Sequence, residues 1–375
     1  MRKRLIQIIA FAFFVGLAVL SALIIANRER AKNEEASMAN LKLASYFESL
    51  GNGYVRCNLC PNRCTLAPGQ TGLCKARKNI DGKLYSMVYG KLAAVHIDPI
   101  EKKPLYHFLP GSKAYSIATT GCNLACKFCQ NWDISQKFSD EVETREMTPQ
   151  QVVEEALNSG SESIAYTYTE PTIFFEFMLE TAKLAKEKGL KNVMHSNGYI
   201  NQEPLEELIP YLDAANIDLK GMSDKFYSTY TQNGKVEPVL ETLKTLKRHG
   251  VWVEVTNLLI PSANDSDEDI TKLVTWVKDN LGEETPLHFS RFFPTYKLEN
   301  LIPTPEETLL RAYDIAKKAG LKYVYLGNID LPEGNTTFCP DGKVAIKRQG
   351  YTVVENNLNE EGVCPGGGKV EGVWK

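Results

Sequence analysis

The sequence predicts an α/β protein: a partial (β/α)6-type parallel barrel, preceded by a small cysteine-rich module and an apolar amino-terminal helix. Three observations lead there. From residue 114 onward, short apolar runs alternate with amphipathic stretches. Before that point four cysteines crowd into residues 57–74, where there is little periodicity. At the start, residues 5–26 form an apolar run broken only by Gln7, Gly16 and Ser21.

The amino-terminal run follows Arg2, Lys3 and Arg4. As a helix its 22 residues reach about 33 Å, enough for a hydrocarbon core of about 30 Å. A cleaved signal has an apolar stretch of only about 7–15 residues, and no small-residue cleavage site directly follows Ala26. The expectation is an uncleaved anchor at residues 1–26. Residues 27–50 read as a charged, solvated linker, and residues 51–106 as the four-cysteine module.

The core is expected over residues 107–322, with a carboxy-terminal extension at 323–375. Strands are predicted at 115–119, 164–169, 192–196, 214–219, 251–259, 287–293 and 323–326. Helices fall between them. Thr148-Pro149 opens one, with Gln151 at capping-box distance, and Gly189, Gly250 and Gly320 each follow a lysine-rich last turn. Repeated β–α units imply a parallel sheet, and in such barrels the chemistry sits at the carboxy-terminal strand ends.

The segment SIATTGCNLACKFCQNWDIS supplies that chemistry. Cys122, Cys126 and Cys129 follow a strand at CxxxCxxC spacing, too close for all three to be joined in disulfides. Three soft thiolates from one short loop suit an iron–sulfur cluster or zinc. A cubane needs four ligands, so this loop leaves one iron open.

With its aromatic Phe128 before the last cysteine, CNLACKFC resembles the signature loop of the radical S-adenosylmethionine superfamily. The resemblance implies a [4Fe–4S] cluster on Cys122, Cys126 and Cys129, with S-adenosylmethionine on the open iron. It also implies cofactor-binding roles at later strand ends. Glu170, in Thr-Glu-Pro where the family has Gly-Gly-Glu, ends the second strand, and Asn197 in Ser-Asn-Gly ends the third. Asp218 and Lys220 match the Asp-Leu-Lys motif of glycyl-radical activating enzymes, where a carboxylate and an ammonium can grip the methionine zwitterion. His288 and Arg291, in LHFSRFFP, are expected at the same mouth. No residue is assigned a catalytic role. Within the superfamily the chain resembles pyruvate formate-lyase activating enzyme-like proteins, and more closely the radical enzyme of the AmmeMemoRadiSam system. That likeness spans residues 57–374 and includes CNLCPNRCTLAPGQTGLC and GNIDLPEGNTTFCP.

Cys57, Cys60, Cys64 and Cys74 offer four thiolates, a full set for one zinc or for a second, saturated cluster. Cys339-Pro340 and Cys364-Pro365 resemble the first halves of zinc knuckles, with Gly342 and Gly367 near the missing cysteines. They are expected to be plain thiols or, at most, a disulfide.

A net charge of −3 and pI near 6.1 argue against a nucleic-acid surface. The expected function is reductive cleavage of S-adenosylmethionine followed by hydrogen abstraction, with a low-potential flavodoxin- or ferredoxin-type donor as partner. Two alternatives stand beside it. One is a glycyl-radical activase with a protein substrate; the other is a membrane-tethered iron–sulfur electron carrier. The positive-inside count marginally favours an exported domain. Cosubstrate and electrons are cytoplasmic, which places the catalytic domain in the cytoplasm on an anchor at residues 5–26.

Overall fold

The computed structural model describes residues 41–375. The expected anchor at 1–26 and most of the 27–50 linker lie outside the described residues. Among the described residues no helix is long and apolar enough to cross a membrane.

The cysteine module is built from tight hairpins. Strand β1 (Phe47–Gly51) pairs antiparallel with β2 (Tyr54–Cys57), which pairs with β3 (Thr65–Leu66). Asn52 and Gly53 turn the first hairpin with φ of 50° and 76°, the mirror-image turn that suits strand twist. Strands β4 (Arg77–Ile80) and β5 (Lys83–Ser86) repeat the device through Asp81 and Gly82, at 49° and 80°. Residues 47–50, expected as solvated linker, are therefore strand, because this Asn-Gly turn folds them back onto β2.

After a short strand at Lys91–Leu92, which pairs antiparallel with Arg145–Glu146, the chain leaves the module and joins the main sheet. β6 (Ala94–Pro99) pairs antiparallel with β7 (Lys113–Ala118). The chain then alternates between sheet and helix layers: α1 (Trp132–Ser135), α2 (Pro149–Asn158), β8 (Ser163–Tyr166), α3 (Phe175–Glu187), β9 (Lys191–Ser196), α4 (Gln202–Leu208), β10 (Ala214–Asp218) and α5 (Val236–Arg248). It continues through β11 (Trp252–Leu259), α6 (Asp267–Leu281), β12 (Leu287–Arg291), α7 (Glu306–Ala319) and β13 (Val324–Gly327). The sheet runs β13-β12-β11-β10-β9-β8-β7-β6, with β7 to β13 all parallel. These are the seven strands read from the sequence. The domain boundary expected at 322/323 cuts this sheet, since β13 pairs with β12 and belongs to the core.

Local signals hold where they were read. Thr148 Oγ1 accepts from Gln151 N at 3.2 Å, and Gln151 Oε1 accepts from Thr148 N at 2.8 Å. Near the amino-terminal strand ends, Ala114, Ala165, Val193 and Ala214 are small enough to admit Ile100, Leu105 and Phe108 as an apolar plug. That packing fills the amino-terminal end of the sheet with apolar side chains. Beyond β13, strands β14 (Thr336–Phe338), β15 (Val344–Gln349) and β16 (Thr352–Asn356) form an antiparallel sheet, and a buried disulfide joins Cys339 to Cys364. Of the two outcomes left open for these cysteines, the disulfide is the one that forms.

Candidate functional site

A cavity of about 410 Å³ opens at the carboxy-terminal strand ends. Cys122, Cys126 and Cys129 all line it, from the loop that follows β7. That loop is pinned from several sides. Ala125 and Lys127 donate their amides to the carbonyls of Thr231 and Tyr230, at 2.9 and 2.8 Å. Leu124 N approaches Cys122 Sγ at 3.4 Å, and Cys129 Sγ lies 3.2 Å from Ser135 Oγ. Burial pushes all three thiols up, Cys126 to about 12. A bound cation would reverse that preference and hold them as thiolates.

Asp218 and Lys220 end β10 in the same cavity. Lys220 Nζ donates to Asp218 Oδ2 at 2.8 Å and lies 5.7 Å from the Phe128 ring centroid. The Lys220 backbone is fixed by Asn264 Nδ2, which donates to its carbonyl at 2.8 Å. Burial opposes charge on both groups, but mutual attraction prevails: the carboxyl is held well below the carboxylate range and the ammonium well above its usual value.

His195, on β9, completes the group, with Nε2 3.1 Å from Asp218 Oδ1. Sequence reading passed over this residue. Its signal was positional, since it stands two residues before Asn197 and so shares that residue's face of the strand.

Glu170 and Asn197 also line the cavity, but their polar atoms are already engaged. Glu170 Oε1 accepts from Thr172 N, Thr172 Oγ1 and Ser196 Oγ at 3.0, 2.7 and 2.7 Å, and Oε2 accepts from Asn197 N at 2.9 Å. Asn197 Nδ2 donates to Asn123 Oδ1 at 2.8 Å, while its Oδ1 accepts from Tyr199 N at 2.8 Å. Both side chains brace the cysteine loop and the neighbouring strand ends.

His288 and Arg291, expected at the mouth, do not line the cavity. His288 lies two residues below Ser290 on β12, on the same face but one pleat repeat deeper, where Nε2 donates to buried Glu254 Oε2 at 2.7 Å. Arg291 falls on the opposite face, and its Nε donates to Thr304 O at 2.8 Å.

A second unforeseen group flanks the cavity. Tyr168, in the left-handed region at φ 62°, donates its hydroxyl to the Asp98 carboxylate, which also holds Lys103 Nζ at 2.6 Å. Strained backbone of this kind concentrates at functional sites.

The four module cysteines surround a separate, narrow void of about 20 Å³. Burial raises the Cys60 and Cys64 thiols and lifts Cys74 to about 11. Among the described residues no three or more His, Cys, Asp or Glu side chains converge on one point as a single bound ion would require.

Residues 116–276 match the family described as the radical SAM superfamily. An uncharacterized protein of Methanocaldococcus jannaschii is 48% identical over 322 residues, covering 86% of this chain and 96% of its own. A protein of the same organism, named provisionally as a glycyl-radical enzyme activating enzyme, is 30% identical over 58% of this chain and 88% of its own. The pyruvate formate-lyase-activating enzyme of Clostridium pasteurianum is 27% identical over 42% of this chain and 67% of its own.

Proposed function

Because this chain belongs to the radical SAM superfamily, whose members act as enzymes, we propose that Cys122, Cys126 and Cys129 hold a [4Fe–4S] cluster that takes S-adenosylmethionine on its open iron. The donor set fits: three soft thiols border one cavity and leave the fourth coordination corner to a ligand. When bound and reduced, the cluster supplies the electron that splits the sulfonium and starts hydrogen abstraction from a substrate.

The protein's own groups bind and orient. Asp218 accepts from the ammonium of the methionine end, and Lys220 donates to its carboxylate, each exchanging its present partner for the ligand. His195 keeps the Asp218 carboxylate in place during that exchange. Glu170 and Asn197 hold the cavity walls rather than the ligand. Support comes chiefly from one observation: the three thiols and the Asp218–Lys220 pair, far apart in sequence, line a single cavity. Protein reconstituted anaerobically and reduced with dithionite should release 5′-deoxyadenosine and methionine. Absence of 5′-deoxyadenosine would leave an electron carrier as the better reading.

The relatives' names favour a second reading, activation of a glycyl-radical enzyme, in which hydrogen leaves a backbone glycine of a partner protein. A glycyl radical detected by EPR on a co-incubated partner would support it. Either chemistry requires a low-potential one-electron donor of flavodoxin or ferredoxin type. The apolar run at 5–26 supports a membrane anchor, and the need for cosubstrate and electrons supports a cytoplasmic catalytic domain.

A further inference from the structure

The void among Cys57, Cys60, Cys64 and Cys74 measures about 20 Å³, more than the roughly 10–15 Å³ that one water needs on the same measure. The four thiols thus surround a space rather than converge on a point. A single tetrahedral ion draws its thiolates onto itself, whereas in a cubane each thiolate binds its own iron and stands apart from the others. Arg77 also lines the void, is only 1% exposed, and leaves its Nε without a hydrogen-bond partner. Its guanidinium is anchored by Glu176 Oε1 at 2.5 Å. A buried, unpaired N–H beside four thiols suits an occupant that carries negative charge and sulfur acceptors.

This void and the main cavity share a wall. Glu170 lines the cavity and Thr172 lines the void, two residues apart and so within about 7 Å along the chain. Contact is equally close at the radical loop. A Cβ added to Gly121, the residue before Cys122, would lie 2.4 Å from the carbonyl oxygen of Cys74. Asn62 Nδ2 donates to Asn123 O at 2.8 Å, a second bridge between the two cysteine groups.

We propose that Cys57, Cys60, Cys64 and Cys74 hold a second, fully ligated [4Fe–4S] cluster that relays single electrons to the cluster on Cys122, Cys126 and Cys129. With four thiolates it has no open iron, so it exchanges electrons without binding substrate. A reduced low-potential flavoprotein gives up one electron and the second cluster is reduced. That cluster is then reoxidised as the radical-loop cluster takes the electron; no proton or bond is exchanged. The relay rests on the reading of Cys122, Cys126 and Cys129 given above, and the experiment separates the two.

Wild-type protein and a C122A/C126A/C129A variant are reconstituted anaerobically, assayed for iron and zinc, and examined by EPR after dithionite reduction with and without S-adenosylmethionine. The wild type should hold about eight irons and the variant about four, by the stoichiometry of two cubanes and one. Of the two wild-type signals, only the one missing from the variant should respond to S-adenosylmethionine. A variant with zinc, or with no metal, overturns the second cluster and leaves the radical-loop reading intact. Four irons in both proteins instead sinks the radical-loop reading, and the relay with it. Rapid freezing of wild type after mixing with reduced flavodoxin, too large to enter the cavity, should show the unresponsive signal rising first and the responsive one growing at its expense. The reverse order overturns the relay.

Discussion

Lys220 Nζ donates to Asp218 Oδ2 at 2.8 Å while the other oxygen of the same carboxylate meets His195 Nε2 at 3.1 Å. Two basic groups thus hold one acid at the rim of a cavity that also contains three thiols. Any zwitterion entering there must displace these contacts, so affinity is a difference between two sets of charge-assisted bonds.

Replacing Asp218 by Asn should weaken S-adenosylmethionine binding by tenfold to a hundredfold, since one such bond is worth about 1.5–3 kcal/mol. Iron content should stay at its wild-type value, because the side chain lies beside the cysteine loop without supporting it. Calorimetric titration together with an iron assay reads both. Unchanged affinity would reduce Asp218 to a structural strand end.

Glu170 is expected to behave differently. Its carboxylate satisfies Thr172 N, Thr172 Oγ1, Ser196 Oγ and Asn197 N, all in a buried setting. Glu170→Ala orphans those donors at about 1–3 kcal/mol each where water does not replace the bond. Urea denaturation should show a loss of at least about 3 kcal/mol. A loss under about 0.5 kcal/mol, typical of surface changes, would mean the network is not holding the walls.

The Cys339–Cys364 disulfide, 25 residues apart in sequence, should stabilise by about 3 kcal/mol through closure of that loop in the unfolded chain. Cys364→Ser should lose that amount in denaturant titration, and wild type kept in strong thiol reductant should match it. Identical stability of oxidised wild type and variant would show that the bridge does not contribute.

His107 gives a pH dependence with a definite sign. Burial pushes its imidazole down to about 4 from 6.5, and Nε2 and Nδ1 are engaged by Tyr325 Oη and Glu371 O, each at 2.6 Å. Between those two values the unfolded chain binds a proton that the native protein refuses. This contribution to stability is therefore complete above pH 6.5 and drains away as the pH falls toward 4. The wild-type slope should exceed that of His107→Gln by up to about 1.4 kcal/mol per pH unit. Parallel curves for the two proteins would refute the assignment.

Much of this molecule could be read from its sequence because the signals were local. Seven strands and the Thr148–Gln151 cap depend on periodicity and on contacts a few residues long. The cysteine spacings are covalent facts, so Cys122, Cys126 and Cys129 could be grouped before any fold was known. The Asp218–Lys220 pair was legible for a related reason: two residues apart on a strand end, they share one face.

Depth and engagement were not legible. Whether His288 reaches the mouth depends on how many pleats lie above it, and that follows from sheet register against Glu254 on β11. Arg291 misses by the parity of a single residue. Nothing in the chain near Glu170 announces that Ser196 and Asn197, on another strand, consume its hydrogen-bonding capacity. The sequence by itself determined which elements form and which thiols can act together, because those choices rest on neighbours along the chain. Only the tertiary structure decided the rest: that His195 joins Asp218, and that Glu170 and Thr172 form one wall between two thiol groups. Side-chain partners and shared walls are set by the packing of strands distant in sequence, a relation that no local pattern encodes.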